Sequence, residues 1–384
     1  MNKLDFLSII THTITKFIPK KRNRWVFGAW FGESVSDNTK ALSDYIENYH
    51  PEIEMIWITN KPEKLNFTHG KALKRNSLRS LPYIMTSKVA IMNQGYGDLN
   101  ACDFIGGSFR VQLWHGVAWK KIFKDAINPP HTLGEKLSDK LFDYINSYDL
   151  YISPSHRQSA VMHTAFNIND SKILLCGQPR NVVLFSDEFR KQARKKLFNE
   201  IDETEKKLIV YMPTFRDKKV DIFSFGKEEH LEKLQIIQKK YNFVLIEKSH
   251  YAAQKKITNT YQFKGGVFFL PDENAETLLA AADILITDYS SCFFDFLITD
   301  RPIIHFIYDY DYYINDDRGV YYDKESVVCG DCPETIEELF DSIVKNLKMP
   351  DKDSDLRKKR REEYITYEND ESCETIYAEI VRKE

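Results

Sequence analysis

Four groups of polar side chains in the second half of the chain each follow a predicted strand. The groups contain hydroxyls, cations and an imidazole, and they are Thr214, Lys248 with His250, Ser290 with Ser291, and Arg318. Because the carboxyl ends of parallel strands meet at one edge of a sheet, we expect these side chains to converge. Hydroxyls and cations beside free backbone N–H groups bind phosphate, so the pattern predicts a diphosphate site.

The segment from Asp283 to Leu297 shows this pattern most clearly. Residues 284–286 are a short apolar run, which is typical of a buried strand, and residues 288–291 carry side chains that cap a helix. Asp295 follows Ser291 by four residues, so the two lie on one face of the predicted helix. A capped helix that binds no ligand would show the same pattern.

His115 follows the predicted strand 109–113 in the first half of the chain. A neutral imidazole at a strand end can take a proton from an attacking hydroxyl near neutral pH. A lone histidine is more often structural. The several strand-end polar groups, rather than His115 itself, favour a catalytic function.

Strands and helices alternate along the chain, which predicts an α/β fold with parallel sheets covered on both faces. The predicted strands are 24–30, 54–59, 89–93, 109–113, 148–152, 207–212, 243–247, 267–270, 284–286 and 302–307. The predicted helices are 39–49, 77–87, 155–166, 190–199, 230–241, 275–281, 333–348 and 353–383.

The alternation restarts near residue 200, within about four residues. This divides the chain into an N-terminal segment at 1–24, a first α/β domain at 25–200, a second at 201–350 and a C-terminal helix at 351–384. Two such domains facing each other across a central cleft form the simplest architecture.

Composition excludes several classes of protein. The chain has 384 residues, and 54 Lys and Arg against 57 Asp and Glu give a net charge of −3, so no basic field for nucleic acid exists. Six scattered cysteines favour free thiols in a reducing cytosol, and Cys329 and Cys332 form one CxxC without a second pair. No HExxH, GxSxG, GxxxxGK[ST] or GxGxxG motif occurs, so we expect neither a metal nor another cofactor.

The N-terminal segment has its own pattern. Leu4, Leu7, Ile14 and Ile18 can share one face of a helix, and a basic cluster follows at 20–24. Such a helix can lie on an anionic membrane surface, or it can pack on the protein's own core. We expect peripheral attachment to the cytoplasmic face of the membrane, since no cleavable signal and no run long enough to span a bilayer is visible.

Seven short motifs follow one another along the chain. They are residues 32–42 with Ser36-Asp37-Asn38, Leu113-Trp114-His115-Gly116, Gly177-Gln178-Pro179-Arg180-Asn181, Met212-Pro213-Thr214-Phe215-Arg216-Asp217, Lys248-Ser249-His250, Thr287-Asp288-Tyr289-Ser290-Ser291 with Phe294-Asp295, and Arg318-Gly319-Val320-Tyr321. Taken in this order, they resemble the CDP-glycerol glycerophosphotransferase family of teichoic-acid and capsule polymer enzymes. Each motif alone is weak, and the resemblance runs from about Trp25 to beyond Tyr322.

The resemblance implies a GT-B fold, in which an acceptor domain and a CDP-donor domain are both Rossmann-like. It implies transfer of glycerol phosphate or ribitol phosphate from a CDP-alditol to a hydroxyl of a lipid-linked or saccharide acceptor, with release of CMP. His115 is then the expected general base. The expected donor-binding residues are Trp114, Gly116, Arg180, Pro213, Thr214, Lys248, His250, Ser290, Ser291, Asp295 and Arg318.

The chain departs from the family pattern at a few positions. Val117-Ala118 stands where Thr-Pro is usual, Val182 where Asp is usual, Lys248 where Arg is common, and Tyr251 where Pro is common. A capsule acceptor therefore stays as open as wall teichoic acid. Two other functions also stay open: a nucleotide-sugar glycosyltransferase on the same fold, and a non-catalytic polymer-binding protein at the membrane.

Overall fold

The computed structural model of the chain describes residues 3–126, 140–141, 143–214, 223–248, 262–314 and 319–384. The chain forms two compact units. Unit 1 comprises Met1–His115, Phe123–Val182 and Tyr367–Glu384, and unit 2 comprises Gly116–Ile122 and Val183–Thr366.

Unit 1 is built on a parallel sheet of seven strands in the order β3-β2-β1-β4-β5-β6-β7. The strands are β1 (Lys21–Gly28), β2 (Glu54–Thr59), β3 (Lys71–Lys74), β4 (Ser87–Met92), β5 (Phe109–Gln112), β6 (Leu150–Ser153) and β7 (Ile173–Leu175). Successive side chains of a strand point to opposite faces, and both faces are buried here: Trp25 and Phe27 pack in one core cluster and Val26 in another. This double burial explains the near-continuous apolar run in β1.

Helices of unit 1 within the described ranges accompany this sheet. They include Lys3–Thr15, Asp37–Tyr49, Leu81–Thr86, His156–Ala165 and Ser372–Lys383. The second buries Leu42 and Ile46 in the same cluster as Trp25, at the helical spacing i, i+4. The last buries Ile376 and Ile380 in that cluster too, so the C-terminal helix belongs to unit 1.

The N-terminal helix Lys3–Thr15 packs on unit 1 through polar side chains. Its buried face carries Ser8, His12 and Thr15, and His12 Nδ1 lies 2.9 Å from Asp103 Oδ2. The exposed apolar side chains of this segment are Phe6, Leu7, Ile10, Ile14 and Phe17. The helix therefore turns its apolar side chains away from the core, and its binding to a membrane stays a prediction.

Unit 2 is built on a six-stranded sheet in the order β10-β11-β9-β8-β12-β13, which is parallel except for the β10–β11 pair. The strands are β8 (Lys207–Met212), β9 (Phe243–Glu247), β10 (Gln262–Lys264), β11 (Val267–Phe269), β12 (Ile284–Thr287) and β13 (Ile303–His305). Both faces of β8 are covered, since Leu208 and Val210 pack in one cluster and Ile209 and Tyr211 in another.

Among the residues that the structure describes, the helices of unit 2 are Asp187–Glu200, Glu228–Tyr241, Ala275–Ala281, Cys292–Phe296, Tyr310–Tyr312, Lys324–Val327, Ile336–Lys348 and Ser354–Tyr364. Thr335 caps the helix Ile336–Lys348 in a reciprocal capping box with Glu338. The segment Gly116–Ile122 also packs in this unit: Trp119 is buried, and its Nε1–H donates to the carbonyl of Tyr322 over 2.8 Å.

The boundaries between the two units differ from the domain boundaries that the sequence predicted. The change from unit 1 to unit 2 falls between Val182 and Val183 rather than near residue 200. The helix Asp187–Glu200 lies in unit 2 because Leu197 and Phe198 are part of that unit's core. The predicted single helix 353–383 is two helices, and the chain returns to unit 1 between them.

Candidate active site

His115 follows the end of β5, and its ring lies against the rings of two tryptophans. The ring centroids of Trp114 and His115 are 4.1 Å apart, and those of Trp30 and His115 are 5.2 Å apart. Trp114 has a left-handed backbone with φ of 54°, and its N–H donates to Gln112 Oε1 over 3.1 Å. The half-buried imidazole therefore projects from a backbone turn that the buried Gln112 fixes.

The buried side chain of Asn38 connects three of the sequence motifs. Its Nδ2 donates to the carbonyls of Leu113 (3.2 Å) and Trp114 (3.1 Å) and to Gln178 Oε1 (3.2 Å). Its Oδ1 accepts from the backbone N–H of Arg180 over 3.2 Å. One amide thus joins the segments around Asp37, His115 and Arg180, which are far apart in sequence.

Arg180 binds the backbone of His115. Its Nη1 lies 2.9 Å from Asp37 Oδ1 and donates to the carbonyl of His115 over 3.0 Å. Asp37 and Arg180 have side-chain exposures of 6% and 10%, so this ion pair is largely shielded from water. The described contacts of the Arg180 guanidinium are all within unit 1. The expected contact between Arg180 and the CDP-alditol donor therefore stays a prediction.

Glu368 is a residue of this region that no sequence motif indicated. Its Oε1 accepts from the backbone N–H of Gln178 and from Asn181 Nδ2, each over 3.1 Å. The contact requires glycine at 177, because a Cβ there would lie 2.7 Å from Glu368 Oε2 and 2.4 Å from Ser372 Oγ. In the sequence, the glycine at 177 is the signal that is consistent with this close approach.

In unit 2, Asp288 connects two of the predicted donor-binding loops. Its Oδ1 accepts from the backbone N–H of Thr214 over 2.8 Å and from that of Tyr289 over 2.6 Å. Strands β8 and β12 are parallel neighbours, so Thr214 and Ser290 follow them at one edge of the sheet. We call the loops that carry Pro213, Thr214, Ser290 and Ser291 the Ser290 site.

The helix after Ser291 is shorter than the apolar pattern suggested. It spans Cys292–Phe296, and a 3-10 turn, Leu297–Thr299, follows. The expected apolar face is buried, since Phe293, Phe294 and Phe296 have no exposed surface. Asp295 is also buried. Five residues form too short a helix for a strong dipole, so phosphate binding here would depend on hydroxyls and loop N–H groups.

Lys248 follows β9, the strand beside β8, at the same edge. Its Nζ donates to the carbonyls of Pro271 (2.8 Å) and Glu273 (2.5 Å). Burial lowers the pKa of Lys248. Through these two hydrogen bonds the ammonium group holds the turn before the helix Ala275–Ala281. The expected contact of Lys248 with the CDP-alditol donor stays a prediction.

The remaining predicted residues divide as follows. Trp114 and Arg180 lie with His115 in unit 1, whereas Gly116 begins the segment that packs in unit 2. His250 and Arg318 lie outside the described residues. Among the residues that are described, no group of three or more His, Cys, Asp or Glu side chains could hold a metal ion. No helix in the described ranges combines the length and apolar character that a membrane span requires.

Comparison with known proteins identifies the family. Residues 10–382 match the model of the CDP-Glycerol:Poly(glycerophosphate) glycerophosphotransferase family. The teichoic acid poly(glycerol phosphate) polymerase of Bacillus spizizenii is 29% identical over 88% of this chain and 86% of that protein. The polymerase of the same name from Bacillus subtilis is 28% identical over 87% of this chain but only 45% of that protein.

The solved structure of the wall teichoic acid polymerase TagF shares the fold, with a TM-score of 0.79 at 23% identity over 98% of this chain and 95% of that one. The chain belongs to the CDP-glycerol glycerophosphotransferase family, and it is an enzyme of the CDP-alditol alditolphosphotransferase type. The resemblance and the α/β, GT-B-like fold predicted from the sequence are confirmed. The roles of the individual site residues stay predictions.

Proposed function

We propose that this enzyme transfers glycerol phosphate from CDP-glycerol to a hydroxyl of a lipid-linked or saccharide acceptor and releases CMP, in teichoic acid or capsule synthesis. The family match and the names of both polymerases support glycerol as the alditol. The observation that carries the proposal is the fixed position of His115, whose backbone is bound by residues from two other motifs.

His115 is the proposed general base. Asn38 donates to the carbonyls of Leu113 and Trp114, the two residues before His115, and Arg180 donates to the carbonyl of His115. With the backbone fixed and the ring held by Trp30 and Trp114, the imidazole needs little reorganisation before it takes the proton of the acceptor hydroxyl. The oxygen then attacks the phosphorus that carries glycerol, and the bond from that phosphorus to CMP breaks.

The Ser290 site is the proposed donor site. The hydroxyls of Thr214, Ser290 and Ser291 follow neighbouring strands, and Asp288 fixes the loops that carry them. CMP leaves as an anion, so donors and cations at the diphosphate stabilise the charge that develops on it. His250 and Arg318 supply these cations in the proposal.

The N-terminal helix is the proposed contact with the cytoplasmic face of the membrane. Ser8, His12 and Thr15 occupy its buried face, which leaves Phe6, Ile10 and the other apolar side chains exposed. An apolar stripe beside the basic segment at 20–24 is the pattern of a helix that lies in an anionic interface. A lipid-linked acceptor would then be presented at the surface to which the enzyme is bound.

One experiment tests the transfer reaction. The protein is incubated with a lipid-linked acceptor and, separately, CDP-glycerol, CDP-ribitol, UDP-sugars and GDP-sugars, and the released nucleotide is identified by chromatography. We expect CMP from CDP-glycerol. UDP or GDP would support a glycosyltransferase, and no turnover of any donor would support a non-catalytic binding protein.

A variant tests the base in the same assay. His115→Gln should lower kcat by about 10²- to 10⁴-fold while CDP-glycerol still binds. His163→Gln is the matched control, because His163 is a partly exposed histidine of unit 1 whose only described ion-pair partner is the exposed Asp170. Full activity of His115→Gln would show that another group takes the proton.

A further inference from the structure

We propose that Trp30 and Phe31 form an aromatic platform that binds a sugar ring of the acceptor beside His115. The inference rests on the proposed function and adds to it the chemical class of the acceptor end. Trp30 contacts the His115 ring, and Phe31 is the next residue along a turn that connects β1 to the helix Asp37–Tyr49.

The turn has an unusual backbone. Trp30, Phe31 and Gly32 are consecutive residues in the left-handed region, with φ of 48°, 53° and 78°. Such a conformation is costly for a bulky aromatic residue and persists only where the surroundings enforce it. The carbonyl of Gly32 accepts from the N–H of Asn60 (2.7 Å) and from Thr59 Oγ1 (3.0 Å), which binds the turn to the end of β2.

The buried carboxylate of Asp98 holds the turn from the other side. Its Oδ1 accepts from the N–H of Phe31 over 2.8 Å, and its Oδ2 accepts from the N–H groups of Asn93 (3.0 Å) and Gln94 (2.7 Å). Burial raises the pKa of Asp98 to about 6. Burying a carboxylate costs free energy of folding. Here the buried carboxylate fixes the backbone of Phe31 relative to the end of β4.

The Phe31 ring packs on the protein on one side and is exposed to solvent on the other. A Cβ on Gly97 would lie 3.1 Å from the ring atoms Cδ1 and Cε1, so the ring rests on the bare backbone of that glycine. Arg75 Nε donates to the carbonyl of Gly97 over 2.8 Å and stiffens this support. Yet 52% of Phe31 is exposed. What distinguishes Phe31 from the other exposed apolar residues is its backbone, which is held in the left-handed region and bound by the buried Asp98 while the ring stays in water. Such strain is concentrated at binding and catalytic sites.

The groups near the turn favour a sugar over the other ligands of this reaction. The C–H face of a pyranose ring packs on the negative face of an aromatic ring, and polar groups at the edge bind its hydroxyls. Ser34, Ser36 and Glu33 follow directly, with the two Ser Oγ atoms 2.8 Å apart. A glycerol phosphate chain has no ring face that could pack on an aromatic side chain. The proposed function places the donor diphosphate at the Ser290 site of unit 2.

The test compares two acceptors that carry the same lipid, one ending in a hexose and one ending in glycerol phosphate. Phe31→Ala should lower the ratio of kcat/KM for the hexose acceptor to kcat/KM for the glycerol phosphate acceptor by about tenfold, through KM for the hexose acceptor. Phe31→Tyr keeps the ring and should restore the ratio. Gly97→Ala should lower it, because the new methyl displaces the ring. Tyr49→Ala removes an even more exposed ring elsewhere in unit 1 and should leave the ratio unchanged.

Binding is measured independently by saturation-transfer NMR with methyl β-glucoside, methyl N-acetyl-β-glucosaminide and glycerol 3-phosphate. We expect both glycosides, but not glycerol 3-phosphate, to bind the intact protein and to lose binding in Phe31→Ala.

If the intact protein binds the glycosides but releases no CMP, the proposed function is wrong and the platform stands. If CMP is released but the acceptor ratio does not change in Phe31→Ala, the platform is wrong. A rise in KM for CDP-glycerol alone would show that the ring stacks on cytosine and would also overturn the proposal.

Discussion

Asn38→Asp is the substitution that tests most sharply how the His115 backbone is held. Asn38 is fully buried, and its Nδ2 faces three oxygens at 3.1–3.2 Å, those of Leu113, Trp114 and Gln178. Aspartate has the same shape but places an acceptor where the donor was. At least two buried acceptors lose their hydrogen bond, at about 1–3 kcal/mol each, and a charge is buried that keeps the N–H of Arg180 as its donor. We expect the free energy of unfolding of unit 1 to fall by about 3–5 kcal/mol.

The stability of this variant should depend on pH in a defined direction. The oxygens around residue 38 favour the protonated form of the new carboxyl, so its pKa is raised in the folded state. The added cost is therefore present above that folded pKa and shrinks as the pH falls through it, because the protonated carboxyl again donates one hydrogen bond. Urea denaturation followed by tryptophan fluorescence at a series of pH values measures this difference, and CMP release reports kcat.

Asn23→Asp is the matched control, because Asn23 is exposed and its Nδ2 donates only to the carbonyl of Glu52 among its described bonds. We expect it to change the free energy of unfolding by no more than about 1 kcal/mol. If Asn38→Asp were as stable as Asn23→Asp, and as active, the hydrogen bonds around Asn38 would not be what positions His115.

Three further substitutions test other parts of the molecule. Asp288→Ala should weaken CDP-glycerol binding, measured by titration calorimetry, by about tenfold or more, because two backbone N–H groups of the Ser290 site lose their acceptor. Replacing Phe6, Ile10 and Ile14 together by Ser should reduce binding to anionic vesicles in a flotation assay, because these side chains are exposed. Burial raises the pKa of Glu247 from 4.5 to about 7, so its contribution to stability is lost as the pH rises through that window, and Glu247→Gln should flatten the decline.

Each of these substitutions has a control on the same unit. Asp311→Ala and Glu337→Gln change exposed acidic residues of unit 2, and Leu78→Ser changes an exposed leucine of unit 1 that lies outside the N-terminal helix. We expect all three to behave as the intact protein does. Unchanged donor affinity in Asp288→Ala, unchanged flotation of the triple variant, or a persistent decline in stability with pH in Glu247→Gln would each contradict the corresponding interpretation.

The parts of the fold that the sequence predicted are those with long apolar runs or strong helical periodicity. The strands Glu54–Thr59, Lys207–Met212 and Phe243–Glu247 have the predicted bounds, because each is buried on both faces. Lys71–Lys74 was not predicted, since an edge strand with exposed lysines at both ends has no apolar run. Local pattern also could not show that the chain returns to unit 1 after Thr366, because that return depends on packing between distant segments.

The same distinction applies to the candidate site. His115 and Asp288 lie in motifs that local pattern and resemblance singled out, and the structure places them at strand ends. Glu368 was missed because its function is to bind the N–H of Gln178, a contact over a sequence separation of 190 residues. The Trp30–Gly32 turn was not predicted: Trp30 appeared only as the end of the strand 24–30, because positive φ at two aromatic residues has no sequence signature.

The nucleotide released from CDP-glycerol is the most direct test of phosphoryl transfer. Attack of the acceptor oxygen on the phosphorus that carries glycerol breaks the diphosphate and releases CMP, whereas attack on the glycerol carbon would release CDP. We predict that the intact enzyme, given CDP-glycerol and a lipid-linked acceptor, forms CMP in equal amount to the glycerol phosphate transferred. Release of CDP instead would contradict the proposed mechanism.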